Sequence, residues 1–284
     1  MHELRPESAS VPVAPPRSRG RAIVITSGKG GVGKTTTTAN IGTALARTGA
    51  SVVLVDADVG LRNLDIVLGL EARVRSHVLD VLEDRVSLDD ALVTDKRVPT
   101  LRLLAAAQTR EKDDVDTEAM RALIDSLRER CDYVLIDCPA GIEKGFQNAI
   151  VGADEAIIVC TPEVSAVRDA DRVVGLLGND RTSIKLIVNR LRPQLVRKGK
   201  MLSVDDVNAI LRLPLLGVIA DEPGVIISTN RGEPIALDDT SSIGAAYRAI
   251  AGRIAGTDSS APEVPAEPTV MQKLGSLFGG RRTS

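Results

Sequence analysis

Apolar residues along this chain fall into two alternating patterns. Short aliphatic, β-branched runs are separated by longer stretches in which apolar residues recur every three or four positions. The runs predict strands at 21–26, 51–55, 101–104, 132–137, 155–160, 184–189 and 215–219. The periodic stretches predict helices near 34–48, 76–92, 116–130, 143–152, 166–178, 203–211 and 241–255. Strands alternating with helices predict an α/β fold: a doubly wound, mainly parallel sheet with helices on both faces. Near-continuous runs such as Val52–Val55 and Ile157–Val159 suit strands buried on both sides.

The pattern divides the chain. Residues 1–20, with Pro6, Pro12, Pro15 and Pro16, predict a disordered tail. Residues 21–255 carry the alternating pattern and form one domain, and residues 256–268 predict a flexible linker rich in Pro, Ser and acidic residues. From 269 to 282 the chain turns apolar and basic. On a helix Val270, Met271, Leu274, Leu277 and Phe278 share one face, Lys273 flanks it, and Arg281 and Arg282 follow. That is the composition of a helix lying in a membrane surface, and the alternative is a helix docked on the protein's own core. Each apolar side chain offers ~1.5–3 kcal/mol if fully buried, and each cation ~1 kcal/mol on an anionic membrane. Gly275, Gly279 and Gly280 subtract roughly 1 kcal/mol apiece where they fall inside the helix. One copy therefore binds weakly, and two linked copies gain ~10²-fold or more.

Composition narrows the function. Apolar residues make up 43% of the 284, but aromatic residues only 1%, so the core is aliphatic and stacking on nucleic-acid bases is nearly excluded. A formal net charge of −2 supplies no global attraction to DNA. Cys131, Cys138 and Cys160 stand in or beside apolar runs without a CxxC spacing, which predicts buried, reduced thiols in a cytosolic protein. His2 and His77 form no ligand cluster. Residues 1–20 lack the apolar centre of a signal peptide, and no apolar run approaches the ~18 residues of a membrane span.

The densest chemical signal is Gly28-Lys29-Gly30-Gly31-Val32-Gly33-Lys34-Thr35, which fits G-x-x-x-x-G-K-[ST] between a predicted strand and a predicted helix. Glycines let backbone N–H groups turn toward phosphate oxygens, and the helix N-terminus adds positive partial charge. Residues 28–36, through Thr36, are the expected phosphate cradle; Lys34 reaches the β- and γ-phosphates, and the Thr35 hydroxyl ligates Mg²⁺. Tyr133–Asp137 is an apolar strand ending in a carboxylate, so Asp137 is a second expected Mg²⁺ contact. Asp56 and Asp58 also follow a strand: they help position Mg²⁺ and an attacking water, or they cap a polar turn.

Lys29 is a second lysine that an ordinary phosphate loop does not need. With it, the loop resembles the MinD/ParA family of deviant Walker A ATPases. The resemblance implies that Lys29 crosses a dimer interface to the partner's nucleotide in an ATP-sandwich homodimer. Asp56–Asp65, Asp137–Glu143 and Pro162–Asp169 are similar to the two switch segments and the dimer-face loop and helix in the division-site-selection branch of that family. By that resemblance Asp58 positions water, Asn63 lies near the nucleotide and the interface, and Asp56 joins Thr35 and Asp137 around the metal. Asn189 and Arg190 resemble the adenine-reading position, with Ile219–Glu222 as the later base-contacting loop; Asn is also a common strand-end turn residue.

The resemblance further implies a slow ATPase stimulated by a topological partner. It implies a dimer bound through its C-terminal helix to the inner face of the cell membrane, where it recruits a division inhibitor. Other readings within the class are a ParA-like partition ATPase on non-specific DNA and a flagellar-number regulator. A nitrogenase-type electron donor needs cluster-ligating cysteines after Asp137, and 141–148 contains none.

Overall fold

The computed structural model describes residues 19–58, 60–108, 116–141, 144–178 and 183–266. The membrane-face residues Val270, Met271, Lys273, Leu274, Leu277 and Phe278 lie outside the described residues, as does most of the N-terminal tail. Among the described residues one 8-stranded sheet runs through the molecule. Its strands are β1 (Arg21–Thr26), β2 (Val52–Asp56), β3 (Val93–Thr94), β4 (Leu101–Leu104), β5 (Tyr133–Asp137), β6 (Glu155–Cys160), β7 (Ser183–Leu191) and β8 (Leu215–Ala220). The spatial order is β3-β4-β2-β5-β1-β6-β7-β8, and only β3 is antiparallel to its neighbour.

The helices are α1 (Lys34–Arg47), α2 (Leu64–Val67), α3 (Val78–Leu82), α4 (Leu88–Ala91), α5 (Thr117–Arg128), α6 (Lys144–Ile150), α7 (Val164–Leu177), α8 (Pro193–Arg197), α9 (Val204–Leu211), α10 (Pro223–Asn230) and α11 (Ser242–Ala255). They cover both sheet faces. Ile23, Ile25 and Leu54 pack with Ile41, Leu45, Tyr247 and Ile250 on one side. Ala22, Val24 and Ile136 pack with Ile124, Leu127, Val167 and Val173 on the other. Successive residues of one strand feed opposite cores, which is why the central strands are aliphatic at every position. No helix among the described residues is long and apolar enough to cross a membrane. All three cysteines are buried and free.

The doubly wound, mainly parallel sheet is the predicted one, and the main departures from the predicted elements have local causes. The helix predicted over 76–92 is two short helices, α3 and α4. Asp80 caps back onto the His77 N–H at 2.9 Å, Asp84 turns left-handed at φ 55°, and the Ser87 hydroxyl accepts from Asp90 N–H to start α4. α10 begins on Pro223 and leaves Ile226 and Ile227 exposed, so it has no apolar stripe to read. α2 and α8 are too short for periodicity. β7 extends past Asn189 because a bulge shifts its pairing with β8 between Val188 and Leu191, where Arg190 takes φ 58°.

Beyond α11, Arg253 ties the returning chain to the sheet. Its guanidinium donates to the Leu216 carbonyl at 3.0 Å and to the Ser260 carbonyl at 2.9 Å. The strap ends with Pro265 and Ala266 in a cavity shared with Leu191–Leu195 and Ala220–Glu222. The described part of the predicted linker therefore follows the β8 edge toward the carboxyl ends of the strands.

Candidate active site

The loop joining β1 to α1 sits at the carboxyl edge of the sheet, where ligands bind in folds of this kind. α1 has no side-chain N-cap hydrogen bond and no acidic residue in its first turn. Its leading N–H groups and positive end thus remain available to an anion. Gly33 enters the helix at φ 98°, and a Cβ there would collide with the Asn189 amide. A Cβ at Gly28 would strike the backbone of Asp169 in α7. Both positions require glycine, one for its φ as well as its size. Lys34 is buried at 8% exposure, whereas Thr35 and Thr36 are half-buried at the start of the helix.

Two carboxylates back this loop. Asp56 ends β2 and Asp137 ends β5, and the two are direct register partners. Each is 1% exposed. Burial, then repulsion from Asp137, pushes Asp56 up to about 8. Burial also pushes Asp137 up, to about 6, against the lowering effect of the Thr35 and Thr38 hydroxyls and the Lys34 charge. Two buried carboxylates side by side beside a lysine form a site in want of cationic charge. Thr38, one turn after Lys34, donates to Asp137 Oδ1 at 3.2 Å and to the Lys34 carbonyl at 3.0 Å. Asp56 is also an organiser: its two oxygens accept the backbone N–H groups of Asp58 at 3.1 Å and Leu64 at 3.2 Å. That holds half-buried Asp58 at the mouth of the crevice. Arg62, at φ 42°, clamps the same segment through Asp65 at 2.6 Å.

On the other flank the β7 bulge turns Asn189 onto the phosphate loop, where its amide nitrogen donates to the Val32 carbonyl at 2.7 Å. Beside it a cavity of about 230 Å³ is lined by Gly33, Thr36, Asn189, Arg190, Asp221 and Ile226 among others. Asn63 is exposed. Lys29 also stands outside this crevice. Its ammonium contacts the Ser165 hydroxyl at 3.2 Å and Glu163 at 3.7 Å, on the exposed start of α7.

Among the described residues no group of three His, Cys, Asp or Glu side chains could hold a metal by itself. The oxygen set of the Thr35 hydroxyl and the Asp137 and Asp56 carboxylates nevertheless fits Mg²⁺, which takes one or two carboxylates and completes its shell with water and phosphate.

The CobQ/CobB/MinD/ParA nucleotide binding domain matches residues 23–235. The chain is 57% identical over 240 residues to the septum site-determining protein MinD of Synechocystis, covering 84% of this chain and 90% of that one. The chain belongs to the MinD family. It is thus a nucleotide-binding P-loop ATPase of the division-site placement class. Its fold superposes on MinD in the MinC:MinD cell division protein complex of Aquifex aeolicus with a TM-score of 0.79 at 49% identity, covering 88% of this chain and 99% of that one. Against the Pyrococcus horikoshii MinD complexed with Mg-ADP the TM-score is 0.76 at 32% identity, covering 83% and 96%.

Within this MinD-family site, one crevice gathers the phosphate loop, Lys34, Thr35, Asp56, Asp58 and Asp137, with Asn189 and Arg190 on its rim. Thr38 and Ile226 were not singled out from the sequence, whereas Asp221 belongs to the Ile219–Glu222 loop expected at the base. The i, i+4 spacing from Lys34 is the one signal pointing to Thr38.

Proposed function

We propose that this chain is a Mg-ATP-dependent membrane switch that helps place the division septum. The observation that carries the reading is the divided duty of the two loop lysines. Lys34 is buried beside the carboxylate pair, whereas Lys29 lies on the surface against α7. A lysine held outside its own crevice is free to enter a partner's.

In this reading residues 28–36 cradle the phosphates and Lys34 neutralises the β- and γ-oxygens. Asn189 and Arg190 border the base in the 230 Å³ cavity. Thr35, Asp137 and, in a supporting position, Asp56 hold Mg²⁺, which supplies charge neutralisation at the phosphates when bound. Asp58 orients the attacking water. Two chains sandwich two nucleotides, each Lys29 reaching across. The domain spans 21–255, the linker 256–268 and the membrane helix 269–282; ATP-bound dimers sit on the inner face of the membrane and ADP-bound monomers in the cytosol. Hydrolysis is slow alone and accelerated by a topological partner. The Aquifex MinD complex with MinC supports a division inhibitor as the recruited partner.

Size exclusion of Lys29→Ala with a non-hydrolysable ATP analogue tests the trans role. The loop backbone survives the substitution, so nucleotide binding persists while the dimer peak disappears. An unchanged dimer peak would show that Lys29 does not act across the interface.

A further inference from the structure

α8 and the turn after it form a cationic corner at the end of β7. Arg190, Arg192, Arg197, Lys198 and Lys200 are all exposed, and the stretch 190–201 contains no Asp or Glu. Within this stretch the charge is all positive, and acidic side chains stand only at its borders: Asp221 and Glu222 beside Arg192, and Glu163 and Asp206 in the cavity that Lys200 lines. Arg192 is partly neutralised by Asp221 at 2.5 Å, whereas Lys198 and Lys200 enter no ion pair among the described residues. The corner is a fixed shape. The Gly199 N–H donates to the Val196 carbonyl and the Lys200 N–H to the Leu195 carbonyl, both at 2.9 Å, which closes the turn and presents the two lysines outward.

The path of the C-terminal strap adds a second observation. Arg253 pins it along β8, and its last described residue, Ala266, lines a cavity together with Leu191–Leu195, at the edge of the cationic corner. The last described residue thus lies near this corner, and in the sequence the apolar and basic stretch with Lys273, Arg281 and Arg282 follows it.

We propose that the Arg192–Lys200 corner is a second, electrostatic contact with anionic lipid, engaged together with the C-terminal segment. The proposal rests on the membrane-switch reading above. A single short amphipathic helix with internal glycines binds weakly, and each further basic side chain near an anionic surface strengthens binding about fivefold. The corner thus supplies attraction from the folded domain itself, and it fixes which face of the domain meets the membrane. The same cations would attract a nucleic-acid backbone. Their place near Ala266, after which the sequence turns apolar and basic, favours lipid.

The test uses the full chain with Mg-ATP and vesicles of phosphatidylglycerol and phosphatidylethanolamine. Lys198→Gln/Lys200→Gln should weaken sedimentation at least about tenfold and flatten its dependence on salt. Lys198→Glu/Lys200→Glu should weaken it further. Both variants should keep the parental nucleotide affinity, since neither lysine lines the nucleotide crevice. Should the Glu variant fail to fold, the Gln variant decides. Parental vesicle binding by the Gln variant would overturn the corner as a contact and leave the switch reading standing. Failure of the parent itself to sediment would overturn both. Loss of binding to a DNA duplex with vesicle binding unchanged would make the corner a nucleic-acid contact instead.

Discussion

Lys29 and Lys34 share one loop and one charge, but the fold gives them different surroundings. Lys34 lies at 8% exposure beside Asp137, while the Lys29 side chain is 45% exposed and meets α7. Asp58 shows the same logic among carboxylates. Asp56 and Asp137 are buried and short of positive charge, whereas Asp58 stands at the crevice mouth on a backbone held by Asp56. A water-orienting group needs access to solvent and a fixed backbone, and Asp58 has both. Asp58→Ala should therefore leave ATP binding and the dimer intact and slow turnover by about 10²-fold or more. Single-turnover hydrolysis measures this, and a parental rate would make Asp58 a turn residue only.

At the scale of elements, what could be read in advance depended on burial on both faces. The central strands declared themselves because their aliphatic residues serve two cores, and the phosphate loop because strand, glycines and helix agree. β3, α2, α8 and α10 did not, since they are short or lack an apolar stripe. The β7 bulge was equally silent, yet it is what turns Asn189 onto Val32. The carboxylates of the site were legible because each ends an apolar strand. Their direct pairing was not, because register between strands far apart in sequence leaves no local trace.

Glu155, at the start of β6, joins three strands: it accepts from Arg21 of β1 and from Lys185 of β7 at 2.7 Å. Burial raises its carboxyl, but the hydrogen bonds from Lys185 and Arg21 outweigh that, and the net shift is below the ordinary 4.5. A carboxyl lowered on folding stabilises above its unfolded value and loses that contribution as pH falls through the folded one. Glu155→Gln should accordingly lower the urea midpoint at pH 7 and lower it less at an acid pH below the ordinary 4.5. Equal losses at both pH values would show that packing, not charge, ties these strands.

At the scale of the whole molecule, nucleotide crevice, cationic corner and departing strap all lie toward the carboxyl ends of the strands. A dimer would link two C-terminal segments in one particle, and linked weak anchors gain ~10²-fold or more. Leu274→Glu/Leu277→Glu should then abolish vesicle sedimentation while leaving the ATP dimer unchanged on size exclusion. Loss of the dimer instead would make the segment a docked structural helix.

The central claim is that nucleotide state controls membrane association, and sedimentation of the full chain with anionic vesicles in Mg-ATP against Mg-ADP tests it most directly. The account predicts that the protein pellets with vesicles in Mg-ATP and stays in the supernatant in Mg-ADP. Equal pelleting in the two nucleotides, or none in either, would contradict it.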